Sequence, residues 1–139
     1  MDFNLVGRRI LKLWVKQVAE AEGKSVGDIA YIFCSDEYLL SLNKSYLKHD
    51  YYTDVITFDY TDGDFIAGDI FISVDRVRVN AAEYGVSFQS ELYRVMIHGI
   101  LHLCGYQDLA EADSKVMRGK EDFYLKFLMN IQCSTEKKA

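Results

Sequence analysis

The segment from Ser87 to Asp108 constrains this chain more tightly than any other, because its cap, histidine spacing and glycine turn point to the same local geometry. Ser87 is a good N-cap for a helix running to about Cys104. Within that helix His98 and His102 stand four residues apart, which places both imidazoles on one face, a turn from each other. Glu91 and Arg94 share roughly that face, while Leu92, Met96, Gly99 and Leu103 occupy the opposite one. The two histidines are therefore not simply filling a core. Gly105 lets the chain leave the helix in a left-handed conformation. The chain can then double back within a few residues, which brings the Asp108 carboxylate toward the imidazoles.

Around this segment, apolar periodicity divides the chain into short elements. Ile10, Leu11, Trp14 and Val18 mark an amphipathic helix from Asn4 to about Glu22, stopped by Gly23. Asp28 to Cys34 reads as a strand, and Ser35 then caps a helix to about Tyr46 with Asp36 and Glu37 in its first turn. After a polar stretch from Leu47 to Tyr52, strands are expected at Asp54–Tyr60 and Asp69–Val74, with a possible short one at Phe65 and Ile66. Asp62-Gly63 between them suggests a reversal of direction. A helix over Asp75–Tyr84 carries a stripe of Val74, Val77, Ala81 and Tyr84 and ends at Gly85. The last helix is expected over Leu109–Ile131, with Val116, Phe123 and Phe127 as its core stripe and Met117, Tyr124, Leu128 and Ile131 beside it. The sum is an α+β domain: a small mixed sheet of three or four strands with about five helices. One domain over residues 1–133 and a frayed polar tail over 134–139 account for all 139 residues.

Charge and cysteine content narrow the setting. A formal net charge of −5 cannot draw in a polyanion, so any RNA contact needs a local basic patch or the charge of a metal. Cys34, Cys104 and Cys133 form an odd set with no CxxC pair, which argues against a disulfide framework and for a reducing cytoplasm. Cys34 and Cys104 read as small core residues, and Cys104 lies about 200° around the helix from His102. No leader-like N-terminus and no membrane-length apolar run occurs, so the expectation is a soluble, cytoplasmic protein without a membrane partner.

The pattern H-x3-H-x2-G-x2-D supplies two imidazoles and one carboxylate and leaves a fourth position open. One zinc ion suits that set, although other divalent transition metals accept the same ligands. An open position is the mark of a catalytic site, where the pKa of a bound water falls to roughly 7. Other chemistries fit less well. Gly99 stands where HExxH peptidases place their glutamate base, and there is no GxSxG nucleophile motif. His49, the only other histidine, lies in a polar loop. No general base is assigned: Asp54 and Asp69 start strands, where a role as capping or turn acids is the stronger reading. Arg94 is either a phosphate contact or the partner of Glu91, three positions away.

HGILHLCGYQD, from His98 to Asp108, resembles the signature H-G-x-L-H-L-x-G-Y-D-H of the YbeY family. LNKSY (Leu42–Tyr46), TDVITF (Thr53–Phe58) and GDIFIS (Gly68–Ser73) follow the order of that family, so the resemblance runs from about Ile29 to Leu128. It implies a zinc-dependent, single-strand-specific endoribonuclease in small-subunit rRNA maturation and ribosome quality control. Its partners would be rRNA, the small ribosomal subunit and ribosome-associated proteins. The family's metal ligands carry over to His98, His102 and Asp108, the last standing where a histidine is usual. Gln107 replaces an aspartate, Leu47 replaces an arginine suited to gripping phosphate, and Tyr52 and Asp59 replace prolines. Two rivals remain: a peptidase or amidase, and a non-catalytic ribosome assembly factor whose metal is structural.

Overall fold

The computed structural model describes residues 3–138, with side chains to residue 133. The elements run α1 (Arg8–Ala21), β1 (Ser25–Cys34), α2 (Asp36–Tyr46), β2 (Val55–Asp59), β3 (Phe65–Ser73), α3 (Val74–Tyr84), α4 (Phe88–Leu103) and α5 (Glu111–Lys138). This is the expected α+β architecture. The three strands form one mixed sheet in the order β1-β3-β2, with β1 parallel and β2 antiparallel to the central β3.

β3 is longer than its pattern suggested, because the short strand expected at Phe65 and the one expected at Asp69 are a single strand. Gly68 joins them, and only glycine fits there: a Cβ would sit 2.4 Å from the Phe58 carbonyl oxygen and 2.9 Å from Leu103. Ile66, Ile70 and Ile72 alternate along one face of β3 and are fully buried. They form the floor of the main core, which α1 and α4 cover with Trp14, Val18, Met96, Ile97 and Ile100. On the other face, α2 lays Leu39 over Cys34 and Ile56 in a smaller cluster. Val74, expected to end a strand, instead opens α3, because Ser73 caps that helix by accepting from the Arg76 N–H.

Two apolar stripes lie elsewhere than expected. On α3, Val74, Val77 and Ala81 are buried but Tyr84 is exposed. On α5, Val116 and Phe123 are about half exposed, at 52% and 50%, and the buried positions are Met117, Glu121, Tyr124, Leu128 and Ile131. The buried face thus carries a glutamate in its middle, and counting apolar residues alone shifts the stripe by one position. The helix also continues past Ile131 to Lys138, while side chains of the polar segment 134–139 lie outside the described residues. All three cysteines are free: Cys34 is buried, Cys104 half-buried and Cys133 exposed. Among the described residues no helix is long and apolar enough to cross a membrane.

Candidate metal centre

Helix α4 presents the two histidines, and its close seating on the sheet fixes their height. Gly99 makes that seating possible, since a Cβ at this position would meet Ile70 Cγ2 at 2.8 Å. The slot after the first histidine therefore faces the sheet, and no acid there could reach a substrate. α4 ends at Leu103 with Cys104 as its C-cap, and Gly105 adopts φ 105°. The Tyr106 N–H then returns to the Leu101 carbonyl at 3.0 Å, a Schellman-type closure. This turn carries the chain back along α4.

The result is a triangle of donors. His98 Nε2 and His102 Nε2 are 3.0 Å apart, and Asp108 Oδ2 lies 3.2 Å from the first and 3.6 Å from the second. A tetrahedral zinc with ligands about 2.0–2.1 Å away requires donor–donor edges of about 3.3–3.4 Å, a value these distances bracket. The remote ring nitrogens are both committed. His98 Nδ1 donates to Glu121 Oε2 at 2.7 Å, and His102 Nδ1 donates to the Tyr106 carbonyl at 2.9 Å. Neither acceptor carries a proton to give, so each neutral ring is held with its Nε2 lone pair aimed into the triangle. The residues present thus fit a divalent metal in number, chemistry and spacing.

Glu121 is the member of this site that sequence reasoning missed. Its side chain is 7% exposed and is held from behind by Arg94, whose Nη1 donates to Oε1 at 2.9 Å. Arg94 also bonds Asp122 at 2.6 Å, so its hydrogen-bonded partners lie on α5, while its charge still acts to lower the pKa of Glu91. The signal was present in the sequence, since position 121 falls in step with Met117, Tyr124 and Leu128. It was hidden by its charge.

The triangle opens onto a cavity of about 540 Å³ whose walls include Asp54, Glu91, Tyr84, Arg118 and Leu47. Asp54 therefore reaches the site, whereas Asp69, Lys48 and His49 do not line it. Glu91 is 4% exposed, and its carboxylate makes no hydrogen bond among the described residues. Burial raises its pKa, and the Asp54 charge adds to the effect. Burial likewise raises the pKa of Asp54, against the pull of His98. Burial acts to lower that of His98, but the hydrogen bond and charge of Glu121 outweigh it and the net shift is upward. The pKa of His102 is lowered by burial and by its neighbour His98, which outweigh the opposing pull of Asp108. Arg118 is exposed at the cavity wall, and its charge acts to lower the pKa of Glu91.

Comparison with known proteins agrees with this geometry. The family model described as Endoribonuclease YbeY matches residues 4–129. Endoribonuclease YbeY of Flavobacterium psychrophilum is 58% identical over 126 residues, covering 91% of this chain and 90% of that protein. The protein of the same name from Bacteroides thetaiotaomicron is 54% identical over 109 residues, covering 78% of this chain and 80% of its own. The solution structure of TM1509 from Thermotoga maritima superposes with a TM-score of 0.68 at 29% identity, over 98% of this chain and 92% of that one. The chain belongs to the YbeY endoribonuclease family.

Proposed function

We propose that this protein is a zinc-dependent endoribonuclease that cleaves single-stranded RNA during small-subunit rRNA maturation and ribosome quality control. The observation that carries the reading is the donor triangle of His98, His102 and Asp108, with both remote histidine nitrogens tied down, at the head of an open cavity. The names of the relatives supply the substrate class. A divalent metal held there would activate water and offset charge on a phosphoryl oxygen.

The chain's own residues do the rest. Glu121 and the Tyr106 carbonyl keep the ligand rings oriented. Buried Glu91 and half-buried Asp54 offer carboxylates whose raised pKa values bring proton transfer closer to neutral pH. Arg94 is neutralised by its two acids, which leaves Arg118 as the cation available to a phosphate at the cavity mouth. A guanidinium suits that task because it can grip a phosphate with two parallel hydrogen bonds. Arg118→Ala is accordingly expected to raise KM for RNA several-fold with little change in kcat, and to flatten the salt dependence of binding by about 0.7 in log–log slope. An unchanged KM and slope would remove Arg118 from the site.

The direct test is incubation of zinc-loaded protein with a labelled single-stranded fragment of small-subunit rRNA precursor, alongside the same fragment annealed to its complement. Cleavage confined to the single strand, abolished by a chelator and by His102→Ala, is the expected result. If no RNA is cut while ribosome association and rRNA processing survive loss of the metal, the protein is an assembly factor with a structural ion.

A further inference from the structure

A second cavity, about 580 Å³, lies away from the metal, where α1 crosses β1. Its floor is apolar, with Leu11 and Val15 from α1, Ile29 from β1 and Met96 from α4. Its only charged lining residues are Arg8, Lys12 and Lys16, and no acid faces them. All three are exposed, and none makes an ion pair or hydrogen bond among the described residues. In a chain with a net charge of −5, this is a concentrated and unneutralised positive rim. β1 is an edge strand, paired with β3 alone, and from Ile29 to Cys34 its register is regular. The outward backbone groups of that stretch are not used in the sheet.

We propose that this groove docks an extended, acidic segment of a partner protein, added as a fourth strand on the outer edge of β1. Spacing supports a strand. Arg8, Lys12 and Lys16 recur every four residues of a helix, about 6 Å apart. Side chains on one face of an extended strand recur every two residues, about 6.7 Å apart. A strand lying in the groove can therefore set same-face acids four residues apart, about 13 Å, against Arg8 and Lys16, about 12 Å apart, with an apolar residue of that face between them on the floor. Backbone pairing contributes affinity and the side-chain pattern contributes specificity.

The chemistry favours protein over RNA. A nucleic acid cannot use the unpaired strand edge, and the aromatic rings here are already engaged. Tyr31 stacks with Phe33 at 6.3 Å and donates its hydroxyl to the Met96 carbonyl, and Phe33 packs against Phe3 at 4.9 Å.

The probe is a fluorescein-labelled twelve-residue peptide, Thr-Val-Thr-Glu repeated, whose valines and glutamates share one face of a strand. Titration into the full-length, zinc-loaded protein at low salt is expected to give saturable binding, with amide protection from hydrogen exchange gained along Ile29–Phe33. Lys12→Glu with Lys16→Glu should weaken it at least tenfold while bound metal and melting temperature stay unchanged. N-methylation of alternate peptide nitrogens should abolish binding if the strand pairs through its backbone. Three results would overturn the proposal: no binding at millimolar peptide, displacement by a single-stranded RNA oligonucleotide with shifts at the same residues, or self-association that the double reversal abolishes. The last two assign the face to RNA or to a second copy of the chain.

Discussion

At the residue scale, the site is a set of side chains whose direction matters as much as their identity. His98 and His102 were legible from their spacing because a helix converts four residues into one turn, and Asp108 because Gly105 permits the return. Glu121 was not, since its contact with His98 spans 23 positions and depends on how two helices pack. Its contribution can be isolated. Glu121→Gln keeps the shape but puts a neutral amide where the carboxylate received the His98 proton, so the ring loses basicity and a fixed tautomer. Affinity for zinc, measured by competition with a chromophoric chelator, is expected to fall about 10–100-fold. An unchanged affinity would mean that Tyr106 and Asp108 orient the site unaided. Arg94 was legible only in part. Three-residue helical spacing pointed to Glu91, on which its charge does act, but its hydrogen-bonded acceptors arrive from α5.

At the element scale, α4 is held against β3 by two glycine contacts, Gly99 on Ile70 and Gly68 beneath Leu103. Both are close approaches that a Cβ would block, and Ile70 is fully buried and so cannot easily yield. Gly99→Ala is expected to cost about 1–3 kcal/mol in urea denaturation through overpacking, and to reduce bound metal by lifting His98 away from Asp108. A variant with wild-type stability and full metal would show that the seating is loose. The order of elements was legible almost throughout, because caps at Ser35 and Ser87 and the glycines that follow the helices punctuate it. The register of α5 was not. Periodicity reads burial through hydrophobicity, and α5 buries an acid against His98 while leaving Phe123 half exposed.

At the scale of the whole molecule, one group ties the two ends of the chain together. Glu22, just beyond α1, accepts from Tyr106 Oη at 2.6 Å, from Lys120 Nζ at 3.2 Å, and from Tyr124 Oη. Trp14 reinforces the junction by donating to the Tyr124 carbonyl at 2.7 Å. Burial acts to raise the Glu22 pKa, but these three donors outweigh it and the net shift is downward. A depressed carboxylate contributes stability that is present above its unfolded pKa and is lost as pH falls through the folded one. Glu22→Gln should therefore be less stable than wild type at pH 7 by about 1–2 kcal/mol, with the difference closing progressively below about pH 4.5. A gap independent of pH would attribute the loss to packing instead. Because this junction also sets the position of α5, it reaches the metal centre through Glu121. The central claim is that three side chains hold one catalytic metal. The measurement that tests it most directly is the metal content, by elemental analysis, of zinc-equilibrated and desalted wild type and Asp108→Ala. About one zinc per chain in the wild type, largely lost in the variant, is the predicted result. A wild type that retains no metal, or a variant that retains all of it, would contradict the account.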